Sequence, residues 1–469
     1  MYAIFKDDLM NQARDVFQLH QRFENNDLST EQLNAQQLSQ LKHVLGYVTN
    51  YSPFYKKHFS GLTETDIHQM TLEAIQRLPF TTKQDLREQG AAMASAPLHR
   101  SWVYYETTGT TGSPTPCPRN EIDSIHNNTP LIIRYKDIFR QHGEHHIVGV
   151  MGPTELHSTG DTFEDVMRSL GHSVVKMWPR SPVVGMERVM KLISELQLTA
   201  LVCTPAVAIS LARYLKDAGI SPAETSVRLI LTLGELTTPA LLRNIGEVWG
   251  AKIYNCMYAS QESSILAVCN HESELCTVPL NNFYEVIHPE TGKPMPLTGT
   301  TVTGELVITN LYQGQKPLIR YRTGDMVRAM PQPNGALKII PIGRVRDVLL
   351  LDGIQYCAWD IESALLDQLS GCLDYAIRIT REEGKDMLHV TVELLDDSVQ
   401  ASTILNSVRR HMQEKLNGVQ VQIEIGKTSA LTGTSAMVSW KAARLHDLRP
   451  DGDNDDRNAA LALLNRGFQ

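Results

Sequence analysis

Thr107-Thr108-Gly109-Thr110-Thr111-Gly112-Ser113-Pro114 is a run of hydroxyls and glycines that opens just after Val103-Tyr104-Tyr105. Small residues let the backbone turn tightly and aim its N–H groups at an anion, and threonine hydroxyls add donors, so the run has the composition of a phosphate cradle. It is not a Walker loop, which ends in Gly-Lys-Ser/Thr on a helix, because Gly112 is followed by Ser113 and Pro114. Taken alone, the run reads equally well as a Thr/Gly surface loop.

Outward from it, the pattern changes in both directions. The first hundred residues read as mainly helical: Thr30 to Tyr47 is polar with recurring Leu33, Leu38, Leu41 and Leu45, and Thr65 to Leu78 repeats the pattern more weakly. From about His146, apolar strand-like runs (147–151, 200–203, 229–231 and one from 252) alternate with helical stretches, among them Met186 to Leu196, one opened by Pro205 and one by Thr238-Pro239. That is the form of an α/β domain with a mostly parallel sheet, and a ligand crevice belongs in the loops after its strands.

Beyond Gly299 the chain turns β-rich, and a second change comes near Arg344, after which strands and helices form a small α+β module. The expected division is 1–345 for a large core with its helical region over about 1–100, 346–449 for a small mobile domain, and 450–469 for an acidic tail and short helix. Asp451-Gly452-Asp453-Asn454-Asp455-Asp456 reads as a solvated linker, since it lacks the spacing and terminal Glu of a calcium loop.

At 469 residues, 42% hydrophobic and 20% charged, the composition is that of a globular protein of two or three domains. A formal net charge of -8 argues against general binding to nucleic acid or acidic membranes and for a small-molecule partner. Acidic Asp7 and Asp8 interrupt any apolar signal core, no apolar run reaches the length that spans a bilayer, and the seven cysteines are scattered. The expectation is a cytoplasmic protein with reduced thiols.

Two further stretches carry polar chemistry. In Arg320-Tyr321-Arg322-Thr323-Gly324-Asp325 the carboxylate follows a strand and turn, where it can accept from vicinal sugar hydroxyls, and Arg344 in Gly343-Arg344-Val345-Arg346-Asp347 lies one hairpin later. A structural salt bridge is the competing reading.

The order of the segments decides more than any one of them. The Thr/Gly loop, Met257-Tyr258-Ala259-Ser260-Gln261-Glu262, Tyr321 to Asp325, and Gly343-Arg344, with a small C-terminal module ending near a lysine, resemble the adenylate-forming enzymes: acyl-CoA synthetases, carrier-protein adenylation domains and luciferases. Ser52-Pro53-Phe54-Tyr55, Leu78 to Arg87, Ile319 to Arg322 and Lys441-Ala442-Ala443-Arg444 are similar to the phenylacetate–CoA ligase family in particular. The resemblance implies a carboxylic acid–CoA ligase that forms AMP, with ATP, Mg2+ and coenzyme A as cosubstrates. The expected state is a monomer or homodimer, without nucleic acid or membrane partner.

The resemblance also implies roles. Thr107, Thr108, Gly109, Thr110, Thr111 and Gly112 would hold the β- and γ-phosphates, with Thr108 counted among the catalytic groups. Glu262 would bind Mg2+, Asp325 the ribose, and Arg344 ribose or phosphate. Gly234 and Glu235 would frame the adenine with Tyr258 and Ala259. Lys441 would reach the carboxylate and α-phosphate during adenylation, after which the small domain would pivot at Val345 to Asp347 to admit the thiol. The Thr428 to Ser439 run before it has the composition of a segment that moves.

The chain departs from the family pattern at Ser113, where a lysine is usual, at Ala259 for a glycine, at Gln261 for a Ser/Thr, and at Arg346 for an acid. In place of a Gly- and aromatic-rich acyl stretch it has Gly152 to Asp161. If His157 and Ser158 face the pocket, they favour a small or hydroxylated acid over a plain aryl acid; otherwise they face solvent. Cys269, His271 and Cys276 read either as a zinc site of unusual spacing or as incidental cysteines. Two other functions stay open: an adenylating enzyme that passes its acyl group to a carrier protein or an amine, and a nucleotide-binding protein with a degraded site.

Overall fold

Alternating apolar tetrads and amphipathic helices between 147 and 255 give a five-stranded parallel sheet in the computed structural model, which describes residues 6–107, 113–395, 401–428 and 440–466. Its strands run in the order Ser173–Lys176, Ile147–Val150, Ala200–Cys203, Leu229–Thr232 and Lys252–Asn255. The middle ones are apolar but for Thr232, because helices cover both faces. Pro205–Asp217 and Pro239–Trp249 each begin with proline behind a threonine cap, Thr204 and Thr238, whose hydroxyls accept from Val207 and Leu241 N–H. The chain leaves Ile147–Val150 for the edge strand and then returns to its other side, so the sheet's switch point lies beside Met151 and Thr204.

A seven-stranded antiparallel sheet follows, in the order Asn282–Ile287, Val302–Asn310, Tyr321–Pro331, Leu337–Arg344, Leu275–Thr277, Ser264–Cys269 and Met257–Ser260. Asp325 lies directly opposite Arg344 in this sheet, and Met257–Ser260 delivers the chain to Glu262. Past the turn Val345–Asp347 come a two-stranded hairpin and a four-stranded sheet, Gln420–Ile425, Lys385–Leu394, Cys372–Glu382 and Leu445–Asp447. Ala358–Leu366 and Ala401–Lys415 pack beside it.

One apolar core lies between the antiparallel sheet, the N-terminal helices and one face of the parallel sheet; a second joins the other face of the parallel sheet to the elements after 348. No helix among the described residues is long and apolar enough to cross a membrane.

Two local expectations change. Thr65 to Leu78 is not one helix but a turn of helix, Glu64–His68, and a separate 3-10 turn, Ala74–Arg77. The Thr71 hydroxyl accepts from Ala74 N–H at 3.1 Å, a side-chain bond that competes with helix continuation. The acidic run from Asp451 is not a free linker, since Asp451, Asp453 and Asp456 each pair with a basic side chain.

Candidate active site

The segments Ser52 to Tyr55, Leu78 to Lys83 and Ile319 to Arg322 meet in one place. Tyr55, fully buried, accepts from Ile319 N–H at 2.9 Å and shares a 3.1 Å hydrogen bond with the Thr81 hydroxyl. Thr81 N–H donates to Arg320 C=O, and Arg322 N–H returns to Thr81 C=O. Arg320 lies under the Phe80 ring at 4.1 Å, donates to Gln76 C=O at 2.8 Å, and forms a two-pronged pair with buried Glu285 at 2.8 and 3.0 Å. The product of this clamp is the start of helix Lys83–Gln89, where Thr82 and Asp85 form a capping box. Lys83 is thereby set 3.3 Å from Glu262.

Glu262 is 8% exposed. Tyr321 donates its hydroxyl to Glu262 Oε1 at 3.1 Å. Burial pushes the Glu262 carboxyl up, but Lys83, its own backbone N–H, Arg344 and Lys316 outweigh that and hold it below the ordinary value, so it is ionised at neutral pH. A single carboxylate among cations fits Mg2+, which takes one or two protein carboxylates beside substrate phosphates. Among the described residues no group of three or more His, Cys, Asp or Glu is arranged to hold a metal ion. The Cys269 thiol is buried and donates to Asn270 C=O at 3.0 Å.

Asp325 and Arg344 stand beside this carboxylate. Asp325 Oδ2 accepts from the Tyr258 hydroxyl at 2.6 Å, and Oδ1 lies 3.4 Å from Arg344 Nε. Asp325 above all, with Glu262 behind it and burial opposing, raises the Arg344 guanidinium, while burial and then Asp325 push the Tyr258 phenol well up. Gly324, at φ +73°, supplies the left-handed turn that aims the carboxylate, and its N–H donates to Glu305 at 3.2 Å.

Thr107 N–H donates to Thr115 C=O at 3.1 Å and its hydroxyl accepts from Thr115 N–H at 3.0 Å, closing the base of the Thr/Gly loop. Thr108, Gly109, Thr110, Thr111 and Gly112 lie outside the described residues, as does most of the 428–439 run. Ala259 is on the strand with Tyr258. Gly234 and Glu235 follow the strand Leu229–Thr232, with the Glu235 carboxylate accepting from Ala206 N–H at 3.3 Å. Lys441 Nζ lies 2.9 Å from Asp453, and Glu262 and Asp325 have Lys83 and Arg344, not Lys441, within ion-pair distance.

The Gly152 to Asp161 stretch folds back onto the site. Ser158 donates its hydroxyl to Gln261 Oε1 at 2.5 Å, Arg119 donates to Gln261 C=O at 3.3 Å, and Glu106 N–H donates to Leu156 C=O at 3.0 Å. Burial and then the Arg119 charge lower the His157 imidazole to about 4, so it is neutral at pH 7, with Nδ1 held 3.0 Å from the Thr159 hydroxyl.

Lys83 and Arg119 were not singled out by sequence. Lys83 is part of the Leu78 to Arg87 segment, yet no local spacing ties it to Glu262, 179 residues away.

An α/β core joined to an antiparallel sheet, whose cross-strand Asp325–Arg344 pair stands beside one ionised glutamate, is the framework of an adenylate-forming enzyme. The AMP-binding enzyme model matches residues 24–312, and the chain belongs to that family. It is phenylacetate–CoA ligase-like: it is 26% identical over 431 residues to a phenylacetate-coenzyme A ligase of Thermus thermophilus, covering 85% of this chain and 93% of that one. The fold is also that of 2-hydroxyisobutyryl-CoA ligase in its postadenylation state with 2-HIB-AMP, at TM-score 0.74, 22% identity and coverage of 94% and 93%. The same enzyme in the thioesterification state gives a TM-score of 0.60 at the same identity and coverage.

Proposed function

We infer that the chain is an AMP-forming acid–CoA ligase: it joins a carboxylic acid to ATP, giving acyl-adenylate and pyrophosphate, and the thiol of coenzyme A then displaces AMP. The observation that carries this reading is the ionised Glu262 held among Lys83, Tyr321 and the Asp325–Arg344 pair, in a family member that covers nearly all of a phenylacetate-coenzyme A ligase.

Attack of a carboxylate on the α-phosphate brings negative groups together, so the site needs cations and fixed donors more than a strong base. Lys83, Arg344 and Lys316 supply positive charge around Glu262. Glu262 would hold Mg2+, which would supply neutralisation of phosphate charge. Asp325, fixed by Tyr258 and Arg344, accepts from ribose hydroxyls. The Thr107 to Gly112 loop contacts the β- and γ-phosphates, and its missing lysine at Ser113 leaves that work to N–H groups, hydroxyls and the metal. Gly234, Glu235 and Ala259 are assigned, with Tyr258, to the adenine.

Lys441 serves adenylation, and the module after Val345 then turns to open the site to the thiol. The better superposition on the postadenylation state than on the thioesterification state supports an arrangement that precedes that turn. For the acid, a small hydroxylated substrate suits the neutral, half-buried His157 and the Ser158–Gln261 bond better than a plain aryl acid does. The 1–345 and 346–449 division is the corresponding domain assignment.

The test is release of pyrophosphate and AMP from ATP, Mg2+ and a panel of aryl and hydroxylated acids, with and without coenzyme A. The reading expects thioester formation that requires coenzyme A, and Lys441→Ala should suppress adenylation far more than thioester formation from preformed acyl-adenylate. Pyrophosphate release without any use of coenzyme A would indicate a carrier-protein or amine acceptor, and failure to bind ATP would indicate a degraded site.

A further inference from the structure

Charged aspartates on a surface run normally remain in water, but three in Asp451 to Asp456 are committed to cations of the small module. Asp451 lies 3.1 Å from Arg381, Asp453 lies 2.9 Å from Lys441, and Asp456 lies 3.0 Å from Arg346. The backbone between them is fixed by Asn454, whose amide donates to Asp447 C=O at 2.7 Å and whose carbonyl accepts from Asp447 N–H at 3.0 Å. Gly452 is needed for this approach, because a Cβ there would sit 2.6 Å from Asp447 C=O. Arg457, in the helix Asp455–Arg466, then donates to Ala442 and Leu445 C=O, at the end of the helix Trp440–Arg444 that carries Lys441.

Two of these pairs fall where the reaction needs freedom. Only 13% of the Lys441 side chain is exposed under the tail, although this ammonium is the one assigned to meet a carboxylate and a phosphate. Arg346 is in the Val345–Asp347 turn, where the module joins the large core; the buried Asp347 carboxyl beside it feels Arg346, Asp456 and Lys441 together. One tail carboxylate therefore sits on the proposed catalytic lysine, and the other sits on the proposed pivot.

We propose that Asp453 and Asp456 form an intramolecular latch, in which Asp453 occupies Lys441 as a stand-in for the anionic substrate while Asp456 holds the pivot at Arg346. The inference rests on the adenylation role given to Lys441 above. Adenylation then begins with exchange of one anion for another on Lys441, with no net loss of an ion pair. Because partly exposed ion pairs are weak and screened by salt, the latch sets a several-fold bias and not an on–off state.

The test uses the full chain. In Asp453→Asn, labelling of Lys441 by an amine-reactive ester, read by mass spectrometry, should speed up about three- to fivefold at low salt. Acid-dependent ATP–pyrophosphate exchange should rise by a similar factor, with the advantage shrinking at about 0.5 M salt. Asp451→Asn, which loses only the Arg381 pair, should match the parent in both. Unchanged Lys441 labelling in Asp453→Asn, or exchange that falls, overturns the latch. Undiminished exchange in Lys441→Ala overturns the role given to Lys441, and the labelling rate still reports whether Asp453 shields it.

Discussion

Asp325 has one oxygen on Tyr258 and the other toward Arg344, so its two partners hold it differently. Tyr258 fixes direction through a short neutral donor, while Arg344 sets charge. Asp325→Ala should weaken ATP binding about tenfold or more by calorimetric titration, because it removes the proposed ribose acceptor and leaves the Arg344 charge without its partner. Tyr258→Phe keeps the charge pair and should cost about fivefold or less. Arg320 works at a distance from ligand: its guanidinium and Glu285 are both nearly inaccessible. Removing one partner of such a pair leaves an uncompensated buried charge, so Arg320→Met should destabilise by about 3–5 kcal/mol in denaturant titration. It should also lower activity of the folded fraction by releasing the segment that positions Lys83.

At the scale of elements, the helix Asp7–Glu24 is tied to the helix Glu121–Arg140 through one amide. His20 Nε2 and His126 Nδ1 both bond to Asn281 Oδ1, at 3.1 and 3.0 Å, and Asn281 donates back to His126 C=O at 2.6 Å. An oxygen between two imidazoles is served by a donor N–H from each neutral ring. Burial above all lowers His20 to about 3 and His126 to about 4. Both rings are therefore neutral in the fold, whereas near pH 6.5 and below they take up protons in the unfolded chain. The sign follows: this contribution is intact above about pH 6.5 and is lost as pH falls toward 4. Between pH 7 and pH 5 each histidine should cost about 2 kcal/mol of stability. His20→Asn or His126→Gln should flatten the pH dependence of the urea midpoint, even though each lowers stability at pH 7.

At the scale of the whole molecule, the module after Val345 is held to the large core by polar contacts set around apolar ones. Arg213 on the helix Pro205–Asp217 lies 3.0 Å from both Asp374 and Glu393, and Asp374 also pairs with Arg444. The Asn244 side-chain amide donates to Cys372 C=O and accepts from Cys372 N–H, and the Thr238 hydroxyl donates to Glu362 at 3.1 Å. Arg213→Ala removes one cation that joins the two parts, paired to both Asp374 and Glu393, and leaves Asp325, Arg344 and Glu262 in place. If this docking is the adenylation arrangement, the variant should lose adenylation about fivefold and keep or gain thioester formation from preformed acyl-adenylate. Equal loss in both half-reactions would count against a moving module.

The sequence by itself determined the alternation of strands and helices over 147–255, the β-rich stretch after Gly299, the small α+β module, and the order of motifs that led to the ligase family. Those signals are local: apolar period, proline behind a threonine cap, glycine at a turn. The helix Glu121–Arg140 escaped reading because Pro130 lies inside it, although Asn120 and Asp123 form a capping box at its start. Only the tertiary structure decided that Lys83 belongs to Glu262, that His20 and His126 share one amide, and that the acidic run is spent on Lys441 and Arg346. The physical reason is common to all three. Charge pairing and burial depend on distance in space, and Lys83 reaches Glu262 through a clamp assembled from Tyr55, Thr81 and Arg320, three residues that the sequence keeps far apart.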